Sequence, residues 1–160
     1  MKIGIISDTH GNFSAVERAV SLAGDVKLWL HAGDCAPDAR FLASITQLPV
    51  YGVAGNCDWL SEDAPEERVV EVGGHRIFLT HGHIYEVRYG TEALTAAAIG
   101  ERADMAVYGH THVVEVTLGE LSVLNPGSAA RPRDGGLPSF MTVELLQGQE
   151  PEVQVFRMEG

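Results

Sequence analysis

An α/β fold in one domain is what this sequence predicts, and three observations carry the prediction. Short β-type runs alternate with helical stretches through the first half of the chain. Hydrophobic residues make up 45 % of the 160, near the globular norm, so disordered and collagen-like classes drop out. No repeat, low-complexity tract or linker interrupts residues 1–160, a length that suits one ordinary domain with a substantial core.

The elements follow in order. Lys2–Ser7, rich in Ile, reads as a buried strand. From Phe13 to Ala23, the apolar Phe13, Val16, Ala19, Val20 and Ala23 share one face at helical spacing, and Ser14 with Glu17 suits a capping box. Lys27–His31 is a second strand, Pro37 opens a helix running to about Gln47, and Pro49–Ala54 is a third strand. This alternation argues for parallel strands joined by crossover helices. The acidic, Pro-containing Ser61–Glu67 reads as a solvated connection. Arg68–Val72 and His75–Thr80 flank Gly73-Gly74, a hairpin signal. Thr91–Ile99 is Ala-rich and helical. Strands follow at Asp104–Tyr108, Val113–Leu118 and Leu121–Asn125, with Gly119-Glu120 as a turn, and Ser139–Leu145 with Val153–Arg157 forms a closing pair. The later half is therefore strand-rich.

Polar clusters fall at the ends of these strands. KIGIIS runs into Asp8-Thr9-His10, KLWLHAG into Asp34, and PVYGVAG into Asn56-Cys57-Asp58. RIFLT runs into His81-Gly82-His83, and DMAVYG into His110-Thr111-His112. Ligands of open α/β sheets bind at the carboxyl ends of strands, and five such ends carrying metal-competent side chains are hard to explain as packing. Singly, each cluster has a plain reading: Asp and His cap helices, Gly-Asp is turn chemistry, and Asn56 after Gly55 suits a left-handed turn. Two histidines two residues apart on a strand point to opposite faces, so His110 and His112 share a site only where the backbone turns, which Gly109 permits. The order of the whole set is far more specific than any part.

Oxygen and imidazole donors without sulfur disfavour a structural zinc site and suit Mn, Fe, Co, Ni or catalytic Zn. Seven donors are too many for one catalytic ion with open positions; two ions sharing a bridging carboxylate fit the count, and such a pair clamps an in-line displacement at phosphorus.

The remaining histidines read differently. His31, late in a strand, suits a satisfied core position, and His75, after the hairpin glycines, a solvated one. His83, together with Asn12 and Thr111, is a candidate to contact substrate or support a ligand. Asp58 suits orienting a ligand or the substrate, and Cys35 reads as a small packing residue.

The formal charge is -11, from 11 Lys+Arg against 22 Asp+Glu, so there is no footprint for holding a long nucleic acid; small anionic substrates at a metal-charged site remain in reach. Two cysteines, Cys35 and Cys57, form no disulfide framework. The apolar Ile3–Ile6 stops far short of a signal segment, and nothing approaches a transmembrane span, so a cytoplasmic protein is expected, with an oligomer left open.

The ordered set Asp8-Thr9-His10, Gly33-Asp34, Gly55-Asn56-Cys57-Asp58, His81-Gly82-His83 and Gly109-His110-Thr111-His112 resembles the calcineurin-like metallophosphoesterase superfamily, and most of all its small bacterial and archaeal phosphodiesterase branch. Asn125-Pro126-Gly127-Ser128 with Arg131 and Arg133 also looks like that branch, so the resemblance covers nearly the whole chain. It implies a four-layer α-β-β-α sandwich of two facing mixed sheets with helices outside. It further implies two divalent ions, manganese foremost: Asp8, His10 and His112 on the first, Asn56, His81 and His110 on the second, and Asp34 bridging. Many enzymes of the superfamily carry a leaving-group histidine where this chain has Cys57; the small branch resembles it in having Cys there, which puts Cys57 and Asp58 at the catalytic position. The expected reaction is attack on a phosphodiester by a hydroxide bridging the ions. A phosphomonoesterase or nucleotide pyrophosphatase using the same site, and a binding scaffold like the retromer subunit of this superfamily, are the rival readings.

Overall fold

The computed structural model describes residues 1–58 and 64–159. In chain order it contains β1 (Lys2–Ile6), α1 (Phe13–Ala23), β2 (Trp29–His31), α2 (Ala36–Thr46), β3 (Val50–Gly52), β4 (Glu67–Val72) and β5 (His75–Thr80). Two single 3-10 turns, His83–Tyr85 and Val87–Tyr89, precede α3 (Glu92–Gly100). Then come β6 (Met105–Val107), β7 (Val114–Thr117), β8 (Ser122–Pro126), β9 (Ser139–Glu144) and β10 (Glu152–Arg157).

The strands form two five-stranded mixed sheets. One has the order β10-β9-β1-β2-β3, with β1, β2 and β3 parallel and β9 and β10 antiparallel. The other has the order β4-β5-β6-β8-β7, with β5, β6 and β8 parallel and the edge strands β4 and β7 antiparallel. Each sheet thus has a parallel core of three strands, and the loops leaving those strands hold the polar clusters.

Side-chain alternation along the strands builds the layers. Ile3, Ile5, Leu30, Ile77, Leu79, Met105, Val107, Leu124, Met141 and Val143 fill the space between the sheets. Intervening residues face outward: Ile6, Trp29 and Phe140 pack under Val16 and Ala19 of α1 and Leu42 of α2. Phe78, Ala106 and Val123 pack under Leu94 and Ala98 of α3. Three cores between four layers make the α-β-β-α sandwich. Among the described residues, no helix is long and apolar enough to cross a membrane.

Local expectations are corrected at three places. Helix α1 begins at Phe13, which puts Ser14 inside the first turn; the cap is Asn12, whose Oδ1 accepts from the Ala15 N–H at 3.0 Å, so the Ser14–Glu17 box does not form. His75 is buried rather than solvated. The Gly73-Gly74 turn packs against Leu145, where an added Cβ on Gly73 would lie 3.0 Å from the leucine side chain, and the chain beyond β9 covers the ring. His75 Nδ1 then meets Asp104 and Nε2 meets the Leu146 carbonyl, each at 2.8 Å. The acidic connection expected at Ser61–Glu67 has residues 61–63 outside the described residues, and Glu67 already belongs to β4.

Candidate metal centre

The chain must turn sharply as it leaves each parallel strand, and the ligand-type residues make those turns themselves. Among the described residues, eight other than glycine have positive φ, and five of them are Asp8 (54°), His10 (47°), Asp34 (45°), His110 (68°) and His112 (60°). Left-handed backbone in non-glycine residues is costly, and it concentrates where function holds it in place. His110 and His112 therefore reach one site through their own turns. Gly109 contributes in a different way. A Cβ there would sit 2.2 Å from Ser7 Oγ and 2.6 Å from Asp8 Oδ2, so its lack of a side chain lets the two sheets' loops touch. Gly55 does likewise beside Asp34, where a Cβ would lie 2.0 Å from Oδ1.

The donor atoms converge. Asp8 Oδ1 lies 3.1 Å from His112 Nε2 and 3.9 Å from His10 Nε2, and the two histidine nitrogens are 3.4 Å apart. Beside this group, Asn56 Oδ1 lies 3.0 Å from His81 Nε2 and 3.2 Å from His110 Nδ1. Asp34 lies between: its Oδ2 is 3.4 Å from His81 Nε2, and its carboxylate shares a cluster within 4.8 Å with His10 and Cys57. Asp8, Asp34, His81 and His112 form a buried floor, while Asn56, Cys57 and part of His110 face solvent. The centre is open to solvent on that side.

Two of these contacts identify what the site is built to hold. His81 Nδ1 donates to the Ala32 carbonyl at 2.6 Å, and His112 Nδ1 donates to the Arg131 carbonyl at 2.6 Å. Each Nε2 then points into the site, free to carry a proton or a metal ion there. There His81 Nε2 faces the Asn56 oxygen and His112 Nε2 faces Asp8 Oδ1, a buried atom with no hydrogen-bond partner among the described residues. At 3.0–3.1 Å each pairing is satisfied by a proton on the imidazole or by a metal ion in its place. The donor set, imidazoles and oxygens on a carboxylate-rich floor, fits divalent metal.

Electrostatics agree. Burial lowers the pKa of His10 and, joined by the charge of His81, holds His110 down to about 4, so both rings stay neutral donors. Burial opposes ionisation of Asp34, but the hydrogen bond and charge of His81 and the Cys57 N–H hold its carboxyl well below the usual range. Burial also disfavours charge on His81, yet Asp34 and Asp8 raise its pKa. Those carboxylates favour a positive species between them, proton or metal, and the two compete.

The supporting residues have definite roles. Asp58 accepts from three backbone amides, Asp34 N (3.1 Å) and Gly55 N (2.9 Å) on Oδ2 and Ala36 N (2.9 Å) on Oδ1, tying the Asp34 loop to the Asn56 loop. Cys57 N donates to Asp34 Oδ1 at 3.0 Å, and its exposed thiol has a pKa raised by burial and by Asp34. Burial and then Asp38 raise Cys35 to about 11. His31 is fully buried and satisfied: Gly33 N donates to Nδ1, and Nε2 meets Thr9 Oγ1 at 3.0 Å. Thr111 Oγ1 accepts from Asn125 Nδ2 and holds the His110–His112 turn. His83 stands 5.5 Å from the His81 ring and 6.2 Å from the His110 ring, centroid to centroid, with a buried Nδ1 lacking a partner among the described residues. Asn12 serves the helix cap already described.

Four supports had no role assigned from sequence. Ser7 Oγ donates to Asp8 Oδ2 at 2.5 Å, Asp38 accepts from Gly11 N at 2.8 Å, Asn125 Nδ2 donates to the Gly109 carbonyl at 3.0 Å, and Ser128 Oγ donates to the Asp8 carbonyl at 2.8 Å. All four are buried. The legible signal was a small polar residue at the end of an apolar run, as in Ile6-Ser7 and Leu124-Asn125.

Fold and site together define a metal-binding α/β sandwich with its centre at the carboxyl ends of parallel strands. Residues 1–148 match the calcineurin-like phosphoesterase superfamily domain, and the chain belongs to that family. It is 34 % identical over 149 residues to the probable metallophosphoesterase YsnB of Bacillus subtilis, covering 91 % of this chain and 85 % of that one. It is 29 % identical to the phosphodiesterase MJ0936 of Methanocaldococcus jannaschii, covering 99 % of this chain and all of that protein. The fold is shared with zinc-complexed Vps29 of Entamoeba histolytica, with a TM-score of 0.78 at 23 % identity over 98 % of each chain. The chain is thus a metal-dependent phosphoesterase, a hydrolase.

Proposed function

We propose that this protein hydrolyses phosphodiesters with two divalent cations, manganese being the first to try and nickel, cobalt, iron and zinc suiting the same donors. Asp8, His10 and His112 would hold one ion, Asn56, His81 and His110 the other, and Asp34 would serve both. The observation that carries this reading is the convergence of donors in two groups, Asp8 with His10 and His112, and Asn56 with His81 and His110, flanking the Asp34 carboxylate. When bound, such ions supply charge for the phosphoryl oxygens and acidify water for in-line attack.

The chain's own residues do the positioning. The Ala32 and Arg131 carbonyls fix the two histidine tautomers, Asp58 sets the spacing of the Asp34 and Asn56 loops, and the exposed Asn56–Cys57 edge leaves the phosphate an approach. Cys57, whose N–H donates to Asp34, would be the side chain to face a leaving oxygen. Phosphomonoesters and nucleotide pyrophosphates are the neighbouring substrate classes. The Vps29 likeness favours a scaffold as second reading, but all seven ligand positions are filled here with donors, which a scaffold does not require.

Metal analysis and turnover test the proposal together. The wild type should bind two ions per chain and cleave bis(4-nitrophenyl) phosphate faster than 4-nitrophenyl phosphate with added Mn²⁺. Asp34→Ala should lose ions and at least about 10²-fold in rate, while Cys35→Ala is nearly silent. Two ions retained by the Asp34 variant would overturn the shared-carboxylate assignment, and faster monoester cleavage the diester assignment.

A further inference from the structure

Four arginines are engaged within the chain: Arg18, Arg68, Arg76 and Arg157 each donate to a carbonyl or carboxylate. Among the described residues, the Arg131 guanidinium makes no ion pair or hydrogen bond, although its main chain is held firmly. Ser128 Oγ, which donates to the Asp8 carbonyl, accepts from Arg131 N at 2.7 Å, and His112 Nδ1 donates to Arg131 O at 2.6 Å. Arg133 N follows by donating to the His112 carbonyl at 2.9 Å. Arg131 is therefore pinned through its backbone to two ligand residues, with its side chain exposed at the rim.

The hydrogen bond of its carbonyl to His112 Nδ1 puts Arg131 beside the ligand set, within electrostatic reach of His10. At the other end, Arg88 stands in the same relation to His110, and it too has no side-chain partner among the described residues. One oxygen of each nearby carboxylate is hydrogen-bonded: Asp8 Oδ2 accepts from Ser7 Oγ and His110 N, and Asp34 Oδ1 from Cys57 N. A planar guanidinium on a rigid backbone, without an internal anion, is a receptor for an oxyanion.

We infer that Arg131 binds a second phosphate group, carried on one arm of the substrate beyond the phosphate being cleaved. The inference rests on the phosphoesterase reading above and narrows it to phosphoesters bearing a further phosphate.

A matched pair of probes tests it: 4-nitrophenyl thymidine 5′-phosphate and the same compound carrying a 3′-phosphate. The metal-loaded wild type should show a KM about tenfold lower for the 3′-phosphorylated probe, the size of effect expected of one charge-assisted contact. Arg131→Ala should bring the ratio of the two KM values close to one, Arg131→Lys should restore part of it, and Arg102→Ala, at the far end of β6, should leave it unchanged. Calorimetric titration with thymidine 3′,5′-bisphosphate and thymidine 5′-phosphate should show the same preference and its loss in Arg131→Ala. Equal affinities in the wild type, or a preference that survives Arg131→Ala, would overturn the inference. If neither probe is turned over, the phosphodiesterase reading fails, and the calorimetric preference still decides the role of Arg131.

Discussion

On the proposed reaction, Cys57 is the residue that would stand nearest a leaving oxygen, and it carries a thiol. An oxygen departing from phosphorus must have its charge neutralised by a proton, a metal or its own acidity. A thiol is a weak hydrogen-bond donor, and here burial and Asp34 make it a weaker acid still. General-acid help from a placed imidazole is worth on the order of 10²–10⁴-fold. Diesters with an acidic leaving group such as nitrophenol should therefore be cleaved far better than alkyl diesters. Cys57→His should narrow that gap by raising rates on poor leaving groups more than on good ones. An equal change in both classes, measured as kcat/KM, would show that residue 57 does not assist departure. The neighbouring Asp58 illustrates what residue type alone leaves undecided. An aspartate after Gly-Asn-Cys reads as chemistry, but its oxygens are occupied by three backbone amides, a role set by loops distant in sequence.

The elements were legible where periodicity and local chemistry agreed. Helix α1 runs from Phe13 to Ala23 as its apolar spacing predicts, and the Gly73-Gly74 turn joins β4 to β5 with Val72 opposite His75. The strand-end clusters were legible because each ligand type follows an apolar run. Contacts made across the sandwich were not legible, because nothing local marks a partner dozens of residues away. The burial of His75 and the anchoring of Arg131 are of that kind, and so is a link between the two sheets at Asp134. Its carboxylate takes a two-pronged contact from Arg157 on β10, at 3.1 and 2.8 Å, and accepts from Val114 N at the start of β7. The Arg157 hydrogen bonds outweigh burial, and with the Val114 and Gly136 amides they hold the Asp134 pKa well below the usual range. A folded-state pKa below the unfolded value of about 3.9 contributes stability above that pH and loses it as pH falls through the folded value. Solvent reaches Arg157, so the link is worth about 1 kcal/mol. Asp134→Asn should lower the urea midpoint at pH 7, and the deficit should shrink toward pH 2–3. A deficit of the same size at both pH values would assign the loss to packing instead.

On the scale of the whole molecule, the acidic surface and the ligand-rich centre have opposite effects on an anion. With 22 acidic against 11 basic residues, the net charge of -11 disfavours the approach of a polyanion. Arg88 and Arg131, within electrostatic reach of His110 and His10, are too few to neutralise a run of phosphates. Affinity for long nucleic acid grows with the number of phosphates neutralised and falls steeply with salt. Metal-free protein should therefore fail to retard duplex DNA even at low ionic strength. Bound divalent ions reduce the net charge without reversing it, so metal should promote the binding of a single phosphoester group and leave duplex binding weak. A gel-shift titration with and without Mn²⁺, repeated at two salt concentrations, measures this. Tight, salt-sensitive retardation by the metal-free protein would mean that a basic surface forms which these two arginines do not account for, and the substrate class would then extend to polynucleotides. No retardation under either condition places recognition at the centre itself, on one phosphate and the groups within reach of Arg88 and Arg131.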